Sequence, residues 1–338
     1  MLKDLIHISH YAGCRFDLTQ VNGGNSSVKI ENFLYIKSSG CYLSDLTESY
    51  GIAKVKLKPL QKLLQHPEKL NDSQIKNAIY AHTVGANRPS IETGMHVRLG
   101  TFVLHTHPLA VNALSCHKDW QKLIAQLFPE AICIAYTTPG AALAIAVAQK
   151  LHAVQANPKQ TLILFLQNHG LVVSAMDAAT VINKTEQITT KIEQTLNLDF
   201  TQYQTAAKVC ALLKRVAPQF NFCHCANDQD LQQILTANKN LFFAEYCLPI
   251  AYLYNTLALE LVNLEDEAPI RTYIQHHQQA PQVIIYRNHI YLITSNIHQA
   301  SELESVLKEH LLIQQIIAPQ TRSLTATEIM QLKEDMSL

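Results

Sequence analysis

Two apolar runs in this chain each end in a histidine-bearing motif, and no other feature constrains the fold as strongly. The run Thr101–Leu104 leads into His105-Thr106-His107-Pro108. Some sixty residues later the run Thr161–Leu166 leads into Gln167-Asn168-His169-Gly170. Both read as buried strands, being short, apolar and bounded by turn residues. Residues two apart on a strand project from one face, so His105 and His107 point together. If the second strand ends near the first, His169 joins them. Three imidazoles at strand ends suit an open metal site, because Zn²⁺ with three protein ligands keeps a position for water or substrate. For His105 and His107 alone, the competing reading is a pair of packed or surface histidines in a chain that has 16.

The 338 residues suffice for one large domain or two ordinary ones, and a hydrophobic fraction of 48% can fill a real core. The 27 basic residues balance the 27 acidic ones, and no Lys/Arg-rich run occurs. This balance argues against nucleic acid or an anionic membrane as a partner held by bulk electrostatics. The longest uncharged apolar stretch, near Ala141–Ala148, is too short to span a bilayer. The N-terminus lacks a signal-peptide core and reads as an amphipathic helix. Eight cysteines (Cys14, Cys41, Cys116, Cys133, Cys210, Cys223, Cys225 and Cys247) are scattered rather than framed. In a chain of this size that pattern suits reduced thiols and a cytoplasmic location.

All ten glycines lie at or before Gly170. Tight turns and close backbone approaches therefore concentrate in the first half, which reads as the half that carries the chemistry. Strands are expected at 27–30, 33–37, 101–105, 132–136 and 161–167, and helices near 60–65, 72–83, 91–99, 141–151 and 178–198. A boundary falls near 197–205. Beyond it, helices are expected at 204–216, 250–262 and 300–313, and a strand at 240–246. A hairpin is expected to join 282–286 to 289–294 across Arg287-Asn288. The polar tail, 318–338, is expected to be loosely held.

Two further elements carry candidate chemistry. Glu92 follows Pro89-Ser90-Ile91, which fits a helix start with Glu92 in its first turn. A carboxylate there can ligate a cation or take a proton beside it; equally, it can simply complement the helix dipole. The turns at Asn22-Gly23-Gly24-Asn25-Ser26-Ser27 and Ser38-Ser39-Gly40 offer N–H groups and hydroxyls to an oxyanion or phosphate. An ordinary hairpin and its exit have the same composition.

Taken in order, Gly24-Asn25-Ser26-Ser27-Val28, Leu34 to Gly40, Ser90-Ile91-Glu92 with His96, His105-Thr106-His107-Pro108 and Gln167-Asn168-His169-Gly170 resemble the class II aldolase/adducin family over roughly residues 1–200. The wording Ser90-Ile91-Glu92-Thr93 looks most like the aldolase part of long bacterial proteins that fuse an aldolase to a short-chain dehydrogenase. The glycine-free second half carries no G-x-G-x-x-G fingerprint.

The resemblance implies an α/β fold, an α/β/α sandwich around a largely antiparallel sheet, with residues 1–203 as the catalytic domain. Residues 204–338 are then a small α/β module of unknown role. It further implies one Zn²⁺ per subunit, or another divalent metal, on His105, His107 and His169, with Glu92 as acid/base. Asn25, Ser39, Gly40 and Ser90 match phosphate-holding positions, and Tyr136 matches a proton donor that some members draw from a neighbouring subunit. A strand-end core tyrosine is the alternative for Tyr136. The implied activity is that of a zinc-dependent aldehyde-lyase, with retro-aldol cleavage of a sugar or sugar phosphate through an enediolate, in a homo-oligomer, a tetramer by resemblance. Epimerisation, dehydration or decarboxylation by the same machinery, or a non-catalytic adducin-like scaffold, are the alternatives. One departure stands out: Ile91 replaces the second serine that assists phosphate in the fuculose-phosphate enzymes.

Overall fold

The computed structural model describes residues 1–318 and 320–336, in two compact units, Met1–Phe200 and Thr201–Leu338. The first unit is built on eight strands: β1 (Asn25–Ile30), β2 (Phe33–Lys37), β3 (Ile52–Lys56), β4 (Thr83–Val84), β5 (Phe102–Thr106), β6 (Ile132–Ile134), β7 (Leu162–Leu166) and β8 (Gly170–Ala175). Their spatial order is β4-β3-β2-β1-β5-β8-β7-β6. Every pairing is antiparallel except β6 with β7.

Successive β5 side chains enter different cores. Phe102 and Leu104 pack with Leu5, Ile8, Trp120 and Ile188 on one face, while Val103 packs with Met95, Leu143 and Val147 on the other. Helices thus cover both faces, which is why β5, β7 and β8 are buried along their whole length rather than alternating. Each wholly buried Leu or Val here contributes roughly 1.5–3 kcal/mol. The α/β/α sandwich with a largely antiparallel sheet is the architecture found.

Three strands, β3, β4 and β8, escaped the sequence pattern. The expected helix at 91–99 shortens to Thr93–Val97, so Glu92 sits at its N-cap rather than in its first turn. The expected strand at 132–136 stops at Ile134, which leaves Tyr136 outside the sheet.

The β7–β8 hairpin positions His169. Its loop is Gln167-Asn168-His169, closed by the His169 N–H donating to the Leu166 carbonyl at 3.2 Å. Asn168 adopts φ +53, a left-handed conformation that Asn tolerates better than most residues. Glycine is required next, because a Cβ on Gly170 would meet the Thr106 carbonyl oxygen at 2.2 Å. That close approach brings the loop against the end of β5.

The second unit holds a four-stranded sheet of β9 (Phe222–Ala226), β10 (Ala258–Glu260), β11 (Val283–Tyr286) and β12 (His289–Thr294), in the order β10-β11-β12-β9. The β11–β12 hairpin turns at Arg287-Asn288 with φ of +48 and +64, as a two-residue turn that matches strand twist demands. Three expectations fail here. The stretch 240–246 is a 3₁₀ turn, Lys239–Phe243, with adjacent Leu241 and Phe242 both buried, a pattern a half-buried strand cannot give. The helix expected over 250–262 ends at Leu253; Asn255 turns the chain at φ +46, and the remainder becomes β10. The tail forms a helix, Ala326–Met336, with Leu324, Ile329 and Leu332 packed on a cluster of Tyr246, Ala251 and Tyr252. Pro319, Ser337 and Leu338 of that tail lie outside the described residues. Among the described residues no helix is long and apolar enough to cross a membrane.

Candidate functional site

His105 and His107 stand at the end of β5, and β8 lies beside it in register, Thr106 facing Leu171. The β7–β8 loop therefore delivers His169 to the same point. The Nε2 atoms of His107 and His169 lie 3.1 and 3.2 Å from Nε2 of His105. All three ligand atoms fall within 4.8 Å of one another. Nitrogens bound tetrahedrally at about 2.0–2.1 Å from Zn²⁺ stand about 3.3 Å apart, so the spacing fits such an ion. The His105 Nδ1–H donates to the Leu171 carbonyl at 3.0 Å, which leaves the Nε2 lone pair facing inward. Burial, with help from neighbouring imidazoles, pushes His105 and His107 down to about 3, so both are neutral and able to ligate near pH 7. Glycine shapes the wall here too: a Cβ on Gly23 would meet His107 Nδ1 at 2.9 Å.

Glu92 closes the site. Its Oε2 is 3.4 Å from His105 Nε2 and its Oε1 is 3.3 Å from His169 Nε2. Oε1 is buried with no hydrogen-bond partner, as is Nδ1 of His169. A buried carboxylate oxygen without a donor, beside three converging imidazole nitrogens, is an arrangement a divalent cation would satisfy.

The carboxylate is held by a relay. Asn25 Nδ2 donates to Glu92 Oε2 at 2.7 Å and to Ser90 Oγ at 3.3 Å. Asn25 Oδ1 pairs with Nε2 of His96 at 2.5 Å, and His96 Nδ1 pairs with Ser27 Oγ at 2.7 Å. Asn25 and Ser27 are two apart on β1, hence on one face. His96 is four residues after Glu92 and shares its side of the helix. That spacing puts each pair on one side of its element, but it does not announce that the two elements meet, and His96 and Ser27 stand out in the sequence only as parts of motifs.

Ser39 reaches the neighbourhood through the backbone, and Gly40 follows it in the chain. The Ser39 N–H donates to the Arg88 carbonyl at 2.8 Å and the Ser90 N–H to the Lys37 carbonyl at 3.2 Å. Gly40 has φ +85, where a side chain would be strained. Buried Lys37 is a residue the sequence did not single out; its ammonium donates to the carbonyls of Asn22 and Cys41, and burial lowers it to about 8. Tyr136 is not brought to the imidazoles. It is 62% exposed, so it is no core tyrosine, and its N–H donates to Gln167 Oε1 at 3.0 Å.

The profile of the class II aldolase and adducin N-terminal domain family matches residues 3–196. The chain belongs to that family. A Bacillus subtilis (strain 168) protein described as the uncharacterized oxidoreductase YuxG is 24% identical over 215 residues, 60% of this chain and 30% of that protein. This chain therefore spans under a third of that relative's length. Among solved structures, the N-terminal class II aldolase domain of a conserved protein from Thermoplasma acidophilum is similar at 23% identity and a TM-score of 0.50, covering 58% of this chain and 93% of that one. An L-fuculose-1-phosphate aldolase from Thermus thermophilus is similar at 19% identity and a TM-score of 0.40, over 58% and 96%. The first of these two structural likenesses bears on the fold of this class II aldolase/adducin chain alone.

Proposed function

We propose that this protein is a zinc-dependent aldehyde-lyase that cleaves a hydroxyketone sugar or sugar phosphate by retro-aldol chemistry. Residues 1–203 are its catalytic domain, with His105, His107 and His169 as the cation ligands. The observation that carries the reading is the convergence of three imidazole Nε2 atoms beneath the unpartnered Oε1 of Glu92. Zn²⁺, when bound, would supply a Lewis acid that polarises the substrate carbonyl, an effect worth several kcal/mol.

The chain's own groups do the rest. Cleavage takes the proton from the hydroxyl beyond the scissile bond, releases an aldehyde and leaves the bonding pair on the carbon next to the carbonyl. Glu92, aimed by Asn25, returns a proton to that carbon, and acid–base help of this kind typically gives about 10²–10⁴-fold. Exposed Tyr136 serves the aldehyde oxygen from a neighbouring copy in a homo-oligomer, a tetramer by family resemblance. Asn25, Ser39, Gly40 and Ser90 face the substrate side of the site.

Metal analysis and a cleavage screen test this reading. One zinc per chain is expected, with aldehyde released from a hydroxyketone or its phosphate. His107→Ala should strip the metal while the fold survives. Protein that neither holds nor takes up zinc would instead be an adducin-like scaffold.

A further inference from the structure

We propose that Arg15 is a positioning residue for His107: with Asp17 and Glu186 it fixes the segment 15–23, and that segment holds His107 where a cation can meet it. The inference rests on the cation-site reading above and adds to it a device that sets the strength of the grip.

Of the three imidazoles, His107 is the one that regular structure does not hold. His105 is fixed by two ladders, and His169 by its own hairpin loop. β5 ends at Thr106, where its ladder with β8 stops, and its ladder with β1 stops one residue earlier. The His107 peptide is held by the segment 15–23 instead. Its N–H donates to the Leu18 carbonyl at 2.9 Å, and its carbonyl accepts from Gln20 Nε2 at 3.4 Å. Two residues on, the Leu109 N–H donates to the Asp17 carbonyl at 2.9 Å. Gly23 then lies against the imidazole itself, where a Cβ would meet Nδ1 at 2.9 Å.

The segment belongs to no helix or strand, so side chains must give it its shape. Arg15 does so from within the protein, at 1% exposure. Its Nε donates to Asp17 Oδ1 at 3.0 Å and one terminal nitrogen donates to Asp17 Oδ2, so the fork grips both oxygens. The other terminal nitrogen donates to Glu186, on the helix Ala178–Leu196, and to the Tyr11 hydroxyl at 3.4 Å, on the helix Leu2–Gly13. The Arg15 carbonyl accepts the N–H groups of Leu18 and Thr19 at 3.0 and 2.9 Å. One residue thus closes the turn and ties it to two helices.

Stability alone is a poor account of this arrangement, because a buried ion pair is often no better than well-packed apolar residues. What a bidentate guanidinium supplies beyond them is a fixed angle. Val21 bears the mark of an imposed shape: it sits at φ +46, in the left-handed region, which a β-branched residue seldom adopts. Such a conformation persists where its surroundings over-determine it, and these surroundings are the wall of the imidazole site.

The double variant Arg15→Met/Asp17→Leu tests this in the full chain. It removes both buried partners together, and Glu186, 37% exposed, can turn to water. The variant should melt cooperatively. Titration against a chromophoric chelator should show zinc bound about 10–100-fold more weakly than by wild type. Co²⁺ in the same site reports its ligands through visible absorption, which falls when an imidazole gives way to water and the coordination number rises; that absorption should drop. Asp177→Ala, which weakens the helix bearing Glu186 at its cap, should leave zinc affinity and the Co²⁺ spectrum unchanged. Wild-type affinity and spectrum in the double variant overturn the proposal. Equal losses in Asp177→Ala overturn it too, since general destabilisation would then suffice. Should the double variant fail to fold, Arg15→Lys decides: it keeps the charge and loses the fork, and zinc should bind about tenfold more weakly, with no change overturning the assignment. Wild-type protein that takes up no zinc brings down the cation site and this proposal together; zinc held equally by wild type and variants brings down this proposal alone.

Discussion

Both ring nitrogens of His96 are committed and the side chain is 0% exposed. Burial pushes it down to about 3, so near pH 7 the ring is neutral, with one donor and one acceptor. The consistent assignment has Ser27 Oγ–H donating to Nδ1 and Nε2–H donating to Asn25 Oδ1. The Asn25 amide then turns its NH₂ toward Glu92, so a neutral imidazole fixes the carboxylate from two residues away. Outer partners of this kind typically carry about 10–100-fold in activity or metal affinity. His96→Ala should slow exchange of a hydroxyketone's acidic C–H with D₂O by that factor, with zinc content unchanged. His96→Gln, which keeps a donor for Asn25, should recover most of the rate. Equal rates in wild type and His96→Ala would remove His96 from the positioning role. At this scale the imidazole triad and Glu92 were legible because strand period and motif order are local. The commitment of Asn25 to Glu92 and His96 was not, because it depends on how a strand meets a helix distant in sequence.

Among the elements, the helix Ala178–Leu196 was readable from its apolar spacing, and the structure shows what caps it. Asp177 accepts from the Thr180 N–H at 2.8 Å, and Asn197 ends the helix in the left-handed conformation at φ +53. Its buried face, Val181, Ile188 and Ile192, packs in the core that holds Phe102 and Leu104 of β5. The cap thus stabilises a helix that braces the strand leading to His105. Asp177→Ala should cost about 1 kcal/mol near pH 7, measured by urea unfolding. The backbone N–H bond from Thr180 holds the Asp177 carboxyl below its usual value. A depressed folded value means the cap contributes fully above the unfolded carboxylate range and is lost as pH falls through the folded one. The difference between variant and wild type should therefore shrink in acid; a gap that persists there would show that the cap is not the cause. Three strands resisted reading because their local pattern is weak. β8 begins at a glycine and has both faces covered, β4 is two residues long, and β10 exists because a parallel partner, β11, receives it.

The two units of the whole molecule differ in which candidate residues they hold. Every candidate residue from Asn25 to His169 lies in Met1–Phe200, as do all ten glycines. That asymmetry was visible in the sequence; the fold of the second half was not, since its strands pair with partners the local pattern does not announce. Each unit has its own core, Leu104, Phe165 and Val173 among the buried residues of the first, Ile285, Leu292 and Leu307 among those of the second. A domain near 200 residues buries roughly 70% of the surface its unfolded chain exposes, enough for independent stability. A chain ending at Phe200 should therefore fold and bind one zinc with the affinity of the full chain. The same should hold for full-length protein loaded with zinc and then nicked at the junction, a route that does not require the fragment to fold alone. Atomic absorption after gel filtration reads both. Zinc that departs on nicking, while circular dichroism reports an intact first unit, would mean that the second unit contributes to holding the cation and that the imidazole triad is insufficient without it.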